Sequence, residues 1–288
     1  MIYLNKKKIL QATLVIALLI FSFFYTNKSI ELIKEVDPIM KQIKETTEKY
    51  TIKPIDAKIV GDKIIPGKSG QQIDYDKSYS KMKQYGTYNE ALTTLKELEP
   101  AISINDHYDK FVMSGNNDNK SVALVFELKN QNNPTNIIST LKKTNTKATF
   151  FIDGLYLENN ANLVKEMINY ELEILSYDNR YEEIYFTSSL NYLSTLTNKS
   201  PKYCYATYDQ KEVIELCSKL KLHTIVPTIL TKNYPYKDIK AKLINNSIIS
   251  LPINSSTEIE LPTIIDYLKQ RGFSLLTLDE LLSEDFEK

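Results

Sequence analysis

The sequence predicts an α/β protein in which helices cover a parallel sheet or a barrel. Strand-like and helix-like segments alternate seven times between residues 121 and 282, as they do in sheets and barrels with outer helices. The first of these segments, Ser121–Phe126, is apolar throughout, which is typical of a strand buried on both faces. A separate uncharged run at residues 9–25 indicates that a different kind of segment precedes the folded part.

The uncharged run at residues 9–25 predicts a transmembrane anchor. Its 17 residues contain no charge, and as a helix they would span roughly 25 Å, near the lower limit for crossing a bilayer. Three lysines at 6–8 precede the run, so residues 1–8 are expected to stay in the cytoplasm and the C-terminal domain to lie outside. A cleaved secretory signal is the alternative, although the run ends in aromatic residues without a small-residue cleavage site. We therefore predict a single-pass protein of the cell membrane.

Two segments are expected between the anchor and the α/β domain. Residues 26–50 are charged, with apolar residues three and four apart, which predicts a helical stalk. Pro38 should kink or divide that helix. Residues 51–115 are interpreted as a small α+β unit. Within this unit we predict a strand at 59–65 and helices at 78–84 and 89–98.

Residues 116–288 are predicted to form the α/β domain. Its expected strands are at 121–126, 148–152, 173–176, 202–206, 223–226, 247–251 and 274–276. Its expected helices are at 136–143, 160–169, 181–196, 211–220, 235–243 and 262–270, before a final segment at 278–282. These assignments follow the hydrophobic periodicity and the glycine and proline residues that interrupt it.

Composition excludes some classes of function. The 36 basic and 36 acidic residues give a formal net charge of zero, so the basic footprint that nucleic-acid binding requires is missing. Cys204 and Cys217 do not make a disulfide framework; we expect two small buried thiols, with one bond in an oxidising exterior as the alternative. His107 and His223 are the only histidines and have no partner at ligand spacing.

Residues 121–282 resemble the NodB-homology domain of polysaccharide deacetylases, carbohydrate esterase family 4. The family's KATFF motif matches residues 147–151, and its closing helix, glycine, strand and TLDELL match residues 261–282. The resemblance implies a distorted (β/α) barrel. It also implies a hydrolase of carbon–nitrogen amide bonds that uses a divalent metal to remove acetyl groups from N-acetylated glycans.

The motif residues of that family are replaced in this sequence. Where the family has TFDDGP, this chain has VFELKN, which puts Glu127 at the place of the catalytic base and Leu128 at a metal-ligand position. The two histidines of the family's HxxxH motif, which are the other ligands, fall on Tyr177 and Tyr181. Leucine offers no lone pair, and tyrosine is protonated near neutral pH. The resemblance therefore implies no metal cofactor here.

Two further catalytic positions are also changed. Tyr205 stands where the family has the arginine of FRPPYG, and Pro252 stands where it has the histidine of LHD, the general acid. Proline has no proton to donate. We therefore assign no catalytic residue and regard Glu127 as a degenerate base position.

Three functions remain open at this stage. The first is an inactive deacetylase-like protein that binds cell-wall glycan or an envelope protein while tethered to the membrane through residues 9–25. The second is an active N-deacetylase with an atypical site, and the third is a scaffold with no glycan role. Four tyrosines are ligand-binding candidates or fill the space of the lost site; we expect the first two to be filler and the last two to be exposed. They are Tyr177, Tyr181, Tyr205 and Tyr208.

Overall fold

The computed structural model describes residues 6–176, 180–207 and 210–286. The chain divides into two compact units. The N-terminal unit consists of Met1–Lys53 and Gly70–Leu98, and the barrel unit consists of Pro54–Ser69 and Glu99–Lys288.

The strands and helices of the described residues are numbered in chain order. The strands are β1 (Lys58–Val60), β2 (Lys63–Ile65), β3 (Gly70–Ile73), β4 (Leu95–Leu98), β5 (Phe111–Val112), β6 (Ser121–Leu128), β7 (Thr149–Ile152), β8 (Glu171–Ile174), β9 (Tyr203–Tyr205), β10 (His223–Ile225), β11 (Ile229–Leu230), β12 (Ser247–Pro252) and β13 (Ser274–Leu276). The α-helices are α1 (Lys6–Val36), α2 (Pro38–Glu45), α3 (Thr47–Tyr50), α4 (Tyr75–Tyr85), α5 (Thr135–Lys143), α6 (Gly154–Asn159), α7 (Ala161–Glu166), α8 (Glu183–Thr197), α9 (Lys211–Lys219), α10 (Pro235–Lys242), α11 (Ser255–Gln270) and α12 (Leu278–Leu282).

Pro38 divides the N-terminal helix, as the sequence predicted. Helix α1 ends at Val36, and the Asp37 side chain accepts a hydrogen bond from Ile39 N at 2.9 Å to cap α2. Pro38 takes the first position of α2, where its missing N–H costs no helical hydrogen bond. The predicted stalk at 26–50 is wrong in its second half, because α2 is packed against α4 rather than free. The apolar side chains that bury this contact are Ile39, Ile43, Ile73 and Met82.

The helix predicted at 89–98 is not formed. Asn89 does cap a turn, with its side-chain oxygen accepting from Ala91 N at 3.0 Å, but only a short 3-10 helix follows. Thr94 then bonds through its backbone to Ser78 and Asp74, and β4 pairs antiparallel with β3. Two β-branched residues before β4 favour this extended backbone.

The barrel unit contains one curled sheet with helices outside it, so the predicted distorted (β/α) barrel is confirmed. Its strand order is β1-β2-β5-β10-β9-β8-β7-β6-β12-β11, and β13 pairs with the first part of β6. The β1–β2 hairpin is antiparallel, and the other pairs of this sheet are parallel.

The domain boundary predicted near residue 115 is wrong. Strands β1, β2 and β5 come from the segment assigned to a small separate unit at 51–115, yet they extend the sheet of the barrel unit. Strand β5 pairs with both β2 and β10, and Phe111 and Val112 are fully buried there. The boundaries between the two units lie instead at residues 53–54, 69–70 and 98–99.

Side chains of each strand alternate between two apolar clusters. Leu124 and Phe126 of β6 belong to an outer cluster with the helices, together with Ile137 of α5. Ala123 and Val125 point to the opposite face and belong to an inner cluster inside the curled sheet. Because side chains alternate with a period of two, the inner face of β6 continues to its carboxyl end at residue 127.

The cysteines are bonded, which corrects the expectation of two free thiols. Cys204 of β9 and Cys217 of α9 form a disulfide with a Cα–Cα distance of 6.5 Å. This distance lies within the range that a disulfide requires. The expectation failed because it considered the number of cysteines and not the β9–α9 connection, which folds the helix back against the strand.

Candidate functional site at the carboxyl ends of the strands

Three residues that the sequence singled out meet on the inner face of the sheet. Glu127 of β6 pairs directly with Pro252 of β12. Tyr205 is the last residue of β9 and also belongs to the inner face. The carboxyl ends of parallel strands lie at one edge of a sheet, where α/β folds place their sites. The structure thus brings together the positions of the family's base, its arginine and its general acid.

Glu127 is engaged by a neighbouring cation. Its Oε2 atom lies 3.2 Å from Lys129 Nζ, and the two side chains are 20% and 39% exposed. An ion pair with this much solvent contact is worth at most about 1 kcal/mol. The carboxylate is therefore a paired, partly hydrated anion at the rim of the inner cluster.

Tyr205 is buried, which corrects the expectation that it is exposed. Only 5% of it is accessible, its ring centroid lies 5.4 Å from that of Phe151, and its hydroxyl lies 3.0 Å from Ser250 Oγ. Burial, reinforced by the negative charge of Glu127, raises the pKa of Tyr205 far above its ordinary value. Tyr205 is neutral and fills the barrel, because the alternation of β9 turns Tyr203 and Tyr205 inward and Cys204 outward.

Leu128 cannot take part in this site. It is fully buried in the outer cluster and pairs with Ile152 of β7. Since neighbouring residues of a strand point to opposite faces, its side chain lies on the other side of the sheet from that of Glu127. The side chain at the metal-ligand position therefore has no donor atom and does not point toward the site.

Tyr181 is only half-buried, and its hydroxyl is already used. Its side chain packs against the outer cluster, and its hydroxyl accepts a hydrogen bond from Gln210 Nε2 at 2.7 Å. The other two tyrosine candidates, Tyr177 and Tyr208, lie outside the described residues.

The residues present do not fit the divalent metal that the family would hold. Leu128 has no lone pair, and Tyr181 offers a protonated hydroxyl rather than a neutral imidazole. Within 6–176, 180–207 and 210–286, no three histidine, cysteine, aspartate or glutamate side chains converge as a set of ligands. No chemistry of this chain can be derived through such a metal.

Sequence reasoning missed Asp153, which follows β7 at the same end of the sheet. It is buried, and its Oδ1 atom accepts from Leu155 N at 2.8 Å, so it caps α6. The signal was available, because an aspartate placed just before a helical segment is a typical N-cap. This acid supports the fold and is not a free general base.

A cluster of buried acids at the opposite end of the sheet was also missed. Glu173 is buried and its Oε2 atom accepts from Lys202 N at 2.7 Å and Tyr203 N at 2.8 Å. Glu171 accepts from Leu278 N at 2.6 Å and Asp279 N at 3.0 Å, which are the first two backbone amides of α12. The sequence pattern of β8 was the available signal, because side chains two residues apart in a strand lie on the same face of the sheet.

Burial dominates the electrostatics of these two acids. It raises the pKa of Glu171 to about 7, with a further contribution from the charge of Asp279. Burial and the neighbouring Glu171 also hold the pKa of Glu173 well above its ordinary value. Both carboxyl groups are bonded to backbone amides, so their role is structural.

His223 of β10 is buried. Its Nε2 atom lies 3.2 Å from Asn105 Oδ1, and its ring stacks on Tyr108 with centroids 4.5 Å apart. Burial lowers the pKa of His223 to about 4, so the ring is neutral near pH 7.

Comparisons with known proteins agree with this geometry. Residues 114–227 match the polysaccharide deacetylase family. The uncharacterized protein YlxY of Bacillus subtilis (strain 168) is 25% identical over 271 residues, which cover 86% of this chain and 84% of that protein.

Two solved structures have a similar fold. BA3943 of Bacillus anthracis, described as a CE4 family pseudoenzyme, is 24% identical, with a TM-score of 0.65 over 87% of this chain and 97% of its own. The Bc1960 peptidoglycan N-acetylglucosamine deacetylase is 20% identical, with a TM-score of 0.54 over 61% of this chain and 94% of its own. The family match over residues 114–227 and the barrel fold both bear out the resemblance seen in the sequence.

Proposed function

We propose that this chain is a membrane-tethered, non-catalytic member of its family that acts outside the cell by binding rather than by hydrolysis. The observation that carries the proposal is the floor of the barrel at the carboxyl ends of the strands. There Leu128 turns away from the site, Tyr205 fills it, and Pro252 stands beside Glu127. No group among these can replace the ones that amide hydrolysis needs.

The chemical argument concerns activation of water and protonation of the leaving amine. A metal-dependent deacetylase polarises the amide and lowers the pKa of a bound water to about 7. Glu127 alone could take a proton only from ordinary water, and its carboxylate is already paired with Lys129. The position of the general acid offers no proton, because proline has none to give. Both halves of the reaction therefore lack a group.

The similarity to BA3943 supports this proposal. That protein is described as a pseudoenzyme, and a mutant of it has restored enzymatic activity. An intact barrel of this family can thus exist without catalysis. We infer the same condition for this chain from its own residues, with the fold retained and the reacting groups replaced.

Two features of this chain support a barrel unit that is tethered to the membrane and lies outside the cytoplasm. Gln11–Val36 of α1 is long and apolar enough to cross a membrane, and the most apolar part of this segment is not buried within the protein. The Cys204–Cys217 bond is of a kind that persists in oxidising compartments. We propose a retained anchor; a cleaved signal is the alternative for the same helix.

The proposed binding partner is a component of the cell envelope, either wall glycan or an envelope protein. Tyr205 is excluded as a stacking platform by its burial. Tyr181 has a partly accessible ring, and Tyr177 and Tyr208 remain candidates from the sequence. Binding by the barrel unit therefore has to use residues at the rim rather than the floor.

The test uses the full chain purified in detergent without chelators. We expect less than stoichiometric zinc, cobalt, manganese and nickel by elemental analysis, and no acetate release from N-acetylated glycans. An active family member measured in parallel serves as the control. A tightly bound metal whose removal abolishes measurable deacetylation would instead establish an active enzyme with an atypical site.

Two further measurements address location and binding. Protease added to intact protoplasts should digest residues 121–282, and their full protection would exclude an external domain. Purified wall sacculi should retain the chain in sedimentation. A negative result with wall material and with envelope extracts would leave a scaffold without a glycan role.

A further inference from the structure

The charged side of α1 is occupied by the N-terminal unit itself. Lys34 forms an ion pair with Asp76 of α4, and its Nζ atom lies 5.4 Å from the ring centroid of Tyr79. Glu35 lies 2.5 Å from Lys44 of α2. The polar residues beyond the predicted membrane segment are therefore turned toward the protein's own helices.

The described side chains on the opposite side of α1 near its end are apolar and exposed. Ile33 is 67% exposed and Val36 is 66% exposed, although both are large aliphatic residues. Leaving a Leu, Ile or Val side chain in water forgoes about 1.5–3 kcal/mol of burial. An amphipathic helix normally turns its polar side outward, and here the arrangement is inverted.

These two residues continue an uncharged line along α1 from Val15 to Val36, which we call the α1 seam. At about 100° per residue, its members lie within about 60° of Ile33 around the helix axis, whereas Lys28, Glu31, Lys34 and Glu35 lie about 100° or more away. The steps between members are four, three, four, seven and three residues, which is a heptad pattern. The seam consists of Val15, Leu19, Ser22, Thr26, Ile33 and Val36.

Lipid does not cover the end of this seam. Ile33 and Val36 lie about 12 and 17 Å beyond Tyr25 along the helix axis, outside the hydrocarbon core if the anchor is residues 9–25. Ser22 in the membrane part and Thr26 directly after it are small enough to let two helices approach closely. The Thr26 hydroxyl donates to the backbone oxygen of Ser22 at 2.8 Å, so a contact there would not leave the Thr26 hydroxyl unpaired.

A second copy of this chain fits the seam. Two copies anchored in one membrane hold α1 parallel and at the same depth, which is the register that a heptad seam needs. The seam carries no charge, so the copies meet without repulsion, while their charged sides stay with their own units. We propose that this chain forms a parallel dimer through the α1 seam. This inference rests on the membrane anchoring proposed above.

Disulfide crosslinking in membranes tests this proposal. Cys204 and Cys217 are bonded to each other, so Ile33→Cys, Val36→Cys or the control Glu31→Cys each adds a single free thiol. For Ile33→Cys and Val36→Cys, mild oxidation should give an electrophoretic band at twice the 33.2 kDa mass of the chain. We expect at least about tenfold less for Glu31→Cys, which lies on the far side of the helix.

A charge on the seam provides a second variant. Ile33→Asp, combined with Val36→Cys, should lower the crosslinked fraction at least about tenfold, because a charge at a core position of a helix pair is strongly disfavoured. Lys34→Asp in the same background is the matched control and should leave the fraction nearly unchanged.

Each other outcome would overturn the dimer. Equal crosslinking at Glu31→Cys and Ile33→Cys would show random collision. Seam thiols that react freely with an impermeant maleimide but do not crosslink would show a monomer, and thiols that neither react nor crosslink would show burial in the headgroup layer. Release of the chain by alkaline carbonate would refute the anchor as well, whereas retention without crosslinks would refute the dimer alone.

Discussion

Replacing Tyr205 by alanine should destabilise the barrel unit rather than weaken a binding site. The ring lies against Phe151 within the inner cluster, and only 5% of the residue is accessible. Removing a buried aromatic side chain costs about 3–5 kcal/mol of unfolding free energy, a large share of the 5–15 kcal/mol that holds a typical domain together. We expect a sharply lower urea midpoint for Tyr205→Ala.

Tyr205→Phe separates the ring from the hydroxyl. The ring contact with Phe151 is kept, but the buried Ser250 Oγ loses its partner at 3.0 Å. Leaving a buried hydroxyl without a hydrogen bond costs about 1–3 kcal/mol. The order of stability should therefore be wild type, then Tyr205→Phe, then Tyr205→Ala.

The assay is urea unfolding of the full chain in detergent, followed by circular dichroism, with binding to wall sacculi measured on the same samples. Tyr192→Ala on α8 is the matched control, because this tyrosine is 38% exposed and its loss should change stability by no more than about 0.5 kcal/mol. A Tyr205→Ala variant with an unchanged urea midpoint and a weakened interaction with sacculi would refute this reasoning. It would show that the Tyr205 ring contacts a ligand.

Three further predictions concern other parts of the barrel unit. Burial raises the pKa of Glu171 from 4.5 to about 7. The protonated carboxyl therefore contributes to stability in acid, and this contribution, as much as about 3 kcal/mol, is lost as pH rises through 7. Glu171→Gln should flatten this pH dependence of stability in urea titrations from pH 4.5 to 8. Replacing Cys204 and Cys217 together by alanine should lower stability by about 3 kcal/mol, as expected for a loop of this length, and an unchanged midpoint would contradict it. Leu128→Asp should unfold more readily at pH 7 than Leu128→Asn, since only the former buries a charge; equal stability together with new zinc binding would show that residue 128 can reach the site.

The sequence was sufficient to predict the parts of the fold that have strong local patterns. Ser121–Phe126 was recognised as a strand buried on both faces, and β6 indeed sends alternate side chains into two clusters. Helices such as α5 and α9 were found at nearly their observed bounds. Their hydrophobic periodicity is set within one segment, so it can be recognised without knowledge of the partner.

The missed features depend on partners that are distant in the chain. Strand β5 has two residues, too few to show any period, and its pairing joins residue 111 to residues 63 and 224. The burial of Tyr205 depends on which face of β9 the odd residues occupy, and a shift of one residue would reverse it. Similarly, Glu171 accepts a hydrogen bond from the first residue of a helix more than a hundred residues away. Such facts follow from register and topology, which no local pattern contains.

The replacements in this barrel affect stability as well as chemistry. A metal site requires carboxylate and imidazole groups grouped near an apolar core, and these are costly to keep there when no metal satisfies them. In this chain Tyr205 bonds Ser250 and Glu127 pairs with Lys129, so the described groups at the end of the barrel are satisfied by other residues of the chain. Among the residues that the structure describes, these two pairs leave neither Tyr205 nor Glu127 without a polar partner. On the proposal of a binding role, recognition would have to use surfaces away from the floor, either the rim of the barrel or the proposed membrane helix α1.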